Sequence, residues 1–384
     1  MDDTPYLRLQ LVVFGLVSAS FTHIYLTQPV LPVLQQEFGA DPGLVSLSVS
    51  AVILGIAVSN LPFGFLADRL PIRPIVLTGG ICVALGALVC ALTRDLWVLI
   101  VARFCQGIFI PALTSCLAAF LAKTLPPERL NVVMGAYVSA TVLGGLGGRL
   151  LGGWVHPPLH WRYAFISAAA LILLATFAAF KFLPAPTDRG RPQSPAVGIL
   201  SLLRRRDMLR IFLCTAGSFA IFSSIFNYLP FRLAAAPFHF STQLTTMLYL
   251  VYILGIFMGP LAGRLSNRFG SGRTLLGGAS FIAIALMFLL PPSIIATVIG
   301  LLALCAGFFT VHSAAVGALN RRLSSGQGRA NALYVLFYYV GGWAGITCSG
   351  VVYKLSGWHA VIGLSALFLA VPIIAGFGEI KARE

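Results

Sequence analysis

Residues 64–73 read GFLADRLPIR, and residues 263–273 read GRLSNRFGSGR. Each stretch runs glycine, three residues, Asp or Asn, then arginine, with a second arginine within the next five positions. The first is built on Gly64, Asp68, Arg69 and Arg73, the second on Gly263, Asn267, Arg268 and Arg273. Both follow an apolar run and open a polar, basic turn. Such a turn repeated about half a chain apart marks a pseudo-symmetric transporter, two related halves with a substrate site between them.

The surrounding sequence has the matching composition. Of 384 residues, 58% are hydrophobic and 10% are charged, against about 25% charged in a soluble domain. Apolar segments of bilayer-spanning length fall at 9–34, 43–66, 74–92, 96–122, 131–155, 161–183, 208–233, 242–265, 274–291, 293–319, 330–354 and 358–379. These twelve predicted spans make an all-α membrane protein. The first runs on too long, and lacks a small-residue cleavage site, to be a signal peptide.

The net charge of +15 invites a nucleic-acid reading, but its distribution argues for topology instead. Twenty of the 26 Lys and Arg residues fall in loops and termini on one side, and four (Arg94, Arg162, Arg232 and Lys354) on the other. The positive-inside rule then puts both termini in the cytoplasm of a multi-pass protein of the inner (plasma) membrane. Residues 184–207 are the one long polar interruption, rich in Pro, Ser and Arg, and read as a cytoplasmic linker. The expected organisation is a six-helix bundle over 1–183, the linker, and a second six-helix bundle over 208–384.

Two inventories exclude function classes. All seven cysteines fall inside predicted spans without metal-ligand spacing, so neither disulfides nor a metal site is expected. No nucleophile–base pairing and no phosphate-binding loop is evident, so the chain reads as neither an enzyme nor an ATP-driven pump. No cofactor is expected. All eleven acids lie at termini, in loops or at span ends. The ionisable groups inside spans are Arg103, Arg149, His23 and His312, and buried ionisable groups are functional candidates by default.

Residues 103–107 read RFCQG, and residues 144–153 read GGLGGRLLGG. With the GFLADRLPIR loop, they resemble three motifs of the major facilitator superfamily, in the right order on the right helices and over essentially the whole chain. Gly64, Asp68, Arg69 and Arg73 match the loop after helix 2, with Pro71 and Ile72 departing from it. Arg103, Gln106 and Gly107 match the helix 4 motif. Gly135, Gly144, Gly148, Gly152 and Gly153 keep the glycine spacing of the antiporter motif on helix 5, where Arg149 replaces the usual proline. The resemblance is nearest to the drug and sugar efflux group.

That resemblance implies a set of roles. Asp68 would latch the cytoplasmic side shut, and Asn267 makes the matching latch of the second half weaker. Arg103 would serve the conformational or proton cycle. Helices 1, 4, 7 and 10 would line the cavity, supplying His23, Thr27 and Gln28; Arg103, Gln106 and Thr114; Phe222, Phe226 and Asn227; and Phe308 and His312. Tyr334, Phe337 and Tyr338 share one face of helix 11.

The residues themselves leave alternatives open. Gly144, Gly148 and Gly152 recur every four positions and form one stripe, which lets helix backbones approach closely; a closing gate and static packing both use such a stripe. Arg103 and Arg149 lie about 12 Å and about 9 Å below the outer ends of their helices, so their guanidiniums share a depth. Arg149 either contacts substrate or snorkels outward to Glu37, Asp41, Asp95 or the interface. His23 and His312 have the intrinsic range of proton carriers but serve equally as neutral packed residues. Aromatics with few polar handles suit an amphiphilic organic molecule. The expected function is alternating-access, proton-linked export of such compounds by a monomer embedded in the lipid bilayer. Two buried arginines and no buried acid motivate the alternative, transport of an anionic metabolite.

Overall fold

The computed structural model describes residues 4–67, 69–183, 198–323 and 327–381. Among them the protein is helical throughout, without strands. The helices are α1 (Thr4–Tyr25), α2 (Leu31–Phe38), α3 (Pro42–Ala67), α4 (Ile72–Leu92), α5 (Leu96–Leu113), α6 (Ser115–Thr124), α7 (Pro127–Val155) and α8 (Arg162–Phe182). They continue with α9 (Ile199–Arg204), α10 (Arg206–Ala234), α11 (Thr242–Met247), α12 (Leu254–Phe269), α13 (Ser271–Phe288), α14 (Ile294–Arg321) and α15 (Gln327–Lys381). Most of the expected linker and Asp68 lie outside the described residues; α9 forms within the linker's last ten positions.

Among the described residues, ten helical segments are long and apolar enough to cross a membrane. The last of them holds two runs, because Ser356 and Gly357 leave helical geometry inside α15. Gly357 has φ +64°, a left-handed conformation that glycine adopts without penalty. Helix α7 is 29 residues long but is diluted by glycine and Arg149. Counting both gives twelve spanning-length helices among the described residues.

Proline sets the most consequential local feature. The first span is not one helix: α1 ends at Tyr25, a 3-10 turn covers Gln28–Val30, and α2 begins at Leu31. Pro29 has no N–H to donate to the Tyr25 carbonyl, and Pro32 none for that of Gln28. The last carbonyls of α1 are thereby left for other donors. Pro111 has a related effect in the fourth span, which bends at Thr114 between α5 and α6.

The helices cluster into two units, one of residues 1–38 and 51–192, the other of residues 39–50 and 193–384. In the first, α1 packs along α7, and α4 packs along α5 and α8. In the second, α10 packs along α15, and α13 packs along α14 and α15. Large apolar side chains such as Leu92, Leu174, Phe257, Met287, Leu367 and Ile374 stand more than half exposed. In a membrane protein these are the lipid-facing positions.

Candidate functional site

In the first unit the polar groups converge on the break after α1. Arg103 of α5 is fully buried. Its Nη1 donates to the His23 carbonyl at 2.6 Å and to Gln106 Oε1 at 2.9 Å, and its Nη2 donates to the Ile24 carbonyl at 2.7 Å. The guanidinium thus caps two of the carbonyls that the proline-rich turn left open, at the negative end of a helix dipole. A guanidinium near mid-membrane costs about 3 kcal/mol on insertion scales, and here it replaces hydrogen bonds that α1 lacks.

Arg149 meets the same break from α7. It is 1% exposed, donates from Nε to Gln28 Oε1 at 2.7 Å and from Nη1 to the Gly145 carbonyl at 2.8 Å, and lies 3.8 Å from the centroid of the Tyr25 ring. Snorkelling is therefore not what this side chain does. Its three proposed outer acids are engaged elsewhere: Glu37 by Trp161 and Arg162, Asp95 by the first N–H groups of α5, and Asp41 by the Leu44 N–H. The glycines around Arg149 bring α1 close enough for Gln28 and Tyr25 to take the guanidinium instead.

That closeness is backbone on backbone. A Cβ added at Gly144, Gly148 or Gly152 would fall onto the carbonyl oxygen of Ser18, Thr22 or Leu26 respectively. Thr22 Oγ1 also donates across the pair to the Gly144 carbonyl at 3.3 Å. The stripe therefore seats α1 of its own half. Gly153 is buried beside it, whereas Gly135 is exposed. His23 lies fully buried next to this contact. Its Nδ1 bonds the Ala19 carbonyl at 2.9 Å; a carbonyl can only accept, so Nδ1 carries the proton, and buried Nε2 is an acceptor with no partner.

The second unit is assembled differently. Phe219, Phe222 and Phe226 recur on one face of α10; Phe219 and Phe222 meet α14 and α15, and Phe226 meets Tyr249 and Tyr252. Phe219 stacks on Tyr338 with centroids 3.8 Å apart, and Phe222 stacks on Phe308 at 4.0 Å. His312 lies over Phe308 at 6.0 Å and edge-on to Tyr338 at 5.5 Å. Its Nδ1 is 3.0 Å from the Tyr334 hydroxyl. Tyr252 closes on Phe222 and Phe226 from the segment before α12. Phe309, His312, Phe337 and Tyr338 remain partly exposed. The result is a broad aromatic surface with an imidazole–phenol pair set in it, suited to rings and alkyl groups by stacking and to one polar group by hydrogen bonding.

Residues 13–325 match the family described as Major Facilitator Superfamily. The chain belongs to the Major Facilitator Superfamily. Its relatives include the inner membrane transport protein YnfM of Escherichia coli (strain K12), 28% identical over 379 residues that cover 97% of this chain and 91% of that protein. The uncharacterized MFS-type transporter YybF of Bacillus subtilis (strain 168) is 27% identical over 376 residues, 96% of this chain and 93% of that one. Among solved structures, an inward-facing, unoccupied bacterial homolog of the human lysosomal transporter Spinster superposes with TM-score 0.77 at 16% identity, covering 99% of this chain and 98% of that one. The human organic anion transporter MFSD10 superposes with TM-score 0.71 at 20% identity, covering 97% and 99%. These likenesses show the fold. The protein is a multi-pass membrane transporter and not an enzyme.

Within this Major Facilitator Superfamily chain, several expected cavity residues serve packing. Gln106 turns away to α4, where its Nε2 donates to the Val83 carbonyl at 3.0 Å. Gly107 admits the Val52 carbonyl of α3. Thr27 and Gln28 are buried in the α1 break, and the Thr114 hydroxyl closes back on Ile110. Asn227 donates to Ser46 Oγ at 2.8 Å within the second unit. Phe337 stacks on Phe212 with centroids 5.4 Å apart. Arg73 donates from Nε and Nη2 to the Leu183 carbonyl, capping α8; Arg69 is exposed, and a Cβ at Gly64 would meet nothing.

Sequence reasoning missed two features. Phe219 and Tyr252 complete the aromatic surface, and the spacing of Phe219 before Phe222 and Phe226 was the available signal. Glu379, read as a span-end acid, is 4% exposed and accepts from Arg210 at 3.0 Å and from Arg322 at 2.6 Å. Nothing in its local sequence marks it, since both partners arrive from other helices.

Proposed function

We propose that this transporter works by alternating access and exports small amphiphilic organic compounds in exchange for protons, as members of the drug and sugar efflux group do. The aromatic surface of the second unit carries this reading. It offers partly exposed rings at Phe309 and Tyr338 and a titratable imidazole at His312, so ligand and proton would meet on neighbouring groups. His23, with its unpartnered Nε2, is the second proton candidate. The basic residues gathered on one side support cytoplasmic termini, and the bacterial relatives support an inner-membrane location. The gating roles of Asp68, Arg69, Arg73 and the α7 glycines, and the monomeric state, belong to the same proposal. The seating of α1 on the glycine stripe favours rigid movement of that pair.

A second reading, transport of an anionic metabolite, is favoured by one observation: two arginines, Arg103 and Arg149, are buried beside the break in α1. Thermal shift of the purified protein separates the two, because a ligand of the folded state raises stability by mass action. Stabilisation by lipophilic aromatic cations and not by aliphatic carboxylates is the expected result. Stabilisation by carboxylates alone would overturn it in favour of the anionic reading. In proteoliposomes, His312→Gln is expected to remove the dependence of transport on the pH gradient; an unaltered dependence in both His312→Gln and His23→Gln would rule out histidine-borne coupling.

A further inference from the structure

The first unit carries a cleft of about 560 Å³ where the ends of α2, α4 and α8 meet. Its lower wall is apolar and faces outward: Leu92 is 79% exposed, Tyr163 51% and Ile166 44%. Its rim is charged, and the two arginines there differ. Arg162 is committed, donating from Nη1 to Glu37 Oε1 and from Nη2 to the Thr93 carbonyl at 2.7 Å, with the Trp161 ring beneath it at 4.3 Å. Arg94 is exposed and makes no hydrogen bond, ion pair or ring contact with the described residues.

The acids near this rim are already engaged. Glu37 accepts from Trp161 Nε1 as well as from Arg162, and Asp95 caps α5 through Oδ1. Two guanidiniums against one carboxylate leave the cleft with one positive charge in excess, carried by the arginine without a partner. The depth is also defined. Helix α4 ends at Leu92, α5 begins at Leu96 and α8 at Arg162, so the rim lies where spans leave the hydrocarbon. Exposed Trp97, Trp154 and Tyr163 are the residue types that gather at head-group level.

We propose that this cleft binds an anionic membrane phospholipid, with Arg94 pairing the head-group phosphate and an acyl chain lying over Leu92 and Ile166. A planar guanidinium pairs a phosphodiester in a bidentate manner, and the exposed apolar wall begins directly below it. The choice of an anionic lipid follows from the lining: its one carboxylate, Glu37, already accepts from Trp161 and Arg162, so a zwitterionic head group's amine would meet no acid of the cleft left for it. The lipid would bridge α4 and α8 at their outer ends.

Native mass spectrometry of the purified, delipidated full chain tests this, with phosphatidylglycerol, phosphatidylcholine and inorganic phosphate as probes. One phosphatidylglycerol is expected to bind about tenfold tighter than phosphatidylcholine: both present the phosphodiester to Arg94, but only phosphatidylcholine brings an ammonium into a cleft that already carries excess positive charge. Arg94→Gln should bring the two lipids within about twofold at an unchanged melting temperature, since Arg94 holds nothing in the fold. Leu92→Asn should weaken both lipids together. Equal binding of the two lipids by the parent protein, or a preference that survives Arg94→Gln, would overturn the proposal. So would displacement of the lipid by inorganic phosphate at equal concentration, which would mark a site for soluble phosphate instead.

Discussion

Two helix pairs hold equivalent places in the two units, α1 with α7 and α10 with α15, and they solve the same packing problem with opposite chemistry. Each brings backbones into contact through glycine. Gly144, Gly148 and Gly152 admit the carbonyls of Ser18, Thr22 and Leu26; Gly341 and Gly345 admit those of Ala216 and Ala220. Each adds a hydroxyl bond across the seam, Thr22 to Gly144 in one and Ser223 to the Gly342 carbonyl at 3.1 Å in the other. Beyond the seam they diverge. Helix α1 breaks after Tyr25 and is held by two buried guanidiniums. Helix α10 runs unbroken for 29 residues and turns an aromatic face to α14 and α15. The difference teaches that a buried arginine can be structural when a neighbouring helix is short of donors, and that an aromatic surface can form beside a helix pair whose seam holds no buried guanidinium.

Filling the seam breaks the shared part of this comparison, with the largest effect. Gly148→Leu and Gly345→Leu each drive a side chain into a carbonyl that cannot move without its helix. Both variants should fail to yield folded protein by size-exclusion chromatography. A Gly345→Leu protein that folds and transports normally would show that the two seams are not equivalent.

The next effect concerns only the first pair. Arg103→Gln leaves the His23 and Ile24 carbonyls without their donor, at a cost of about 2–4 kcal/mol in unfolding free energy. Arg103→Lys should recover part of it, since an ammonium reaches one carbonyl at a time. Denaturation in mild detergent reads the difference; equal stability of parent and Arg103→Gln would remove the capping role.

The smallest effect is a control on glycine itself. Gly135 shares the motif of the stripe but is exposed, and a Cβ there would meet nothing. Gly135→Ala should change stability by no more than about 1 kcal/mol, in the favourable direction expected for alanine in a helix. A large loss would mean that motif membership, and not contact, decides which glycines matter.

The two-half architecture was legible in the sequence because it rests on quantities local to each segment: apolar length, the sidedness of Lys and Arg, and a repeated turn. The common depth of Arg103 and Arg149 was legible for the same reason, since rise per residue fixes it. Their partners were not. Residues 9–34 read as one span, and the consequence of Pro29 and Pro32 appears only when Arg103 is brought across from α5. Gln106 read as a cavity group, yet its amide turns to the Val83 carbonyl because Gly86 on the same helix leaves room for its stem. Glu379 escaped notice because its burial is made by α10 and by Arg322 just past α14, more than fifty residues away in sequence. Asp68 itself, at the heart of the clearest motif, lies outside the described residues.

The central claim is that the polar centre of the first unit holds α1 while the aromatic surface of the second binds ligand. The most direct measurement is the affinity of a lipophilic aromatic cation, by equilibrium titration, together with melting temperature, for Arg149→Met and Tyr338→Leu. The account predicts that Tyr338→Leu weakens binding about three- to tenfold, the worth of one stacked ring, with a smaller fall in melting temperature than Arg149→Met, reflecting the lost stack on Phe219. It predicts that Arg149→Met lowers the melting temperature and keeps affinity within about twofold. Loss of affinity in Arg149→Met at unchanged stability, with parent-like binding in Tyr338→Leu, would contradict it.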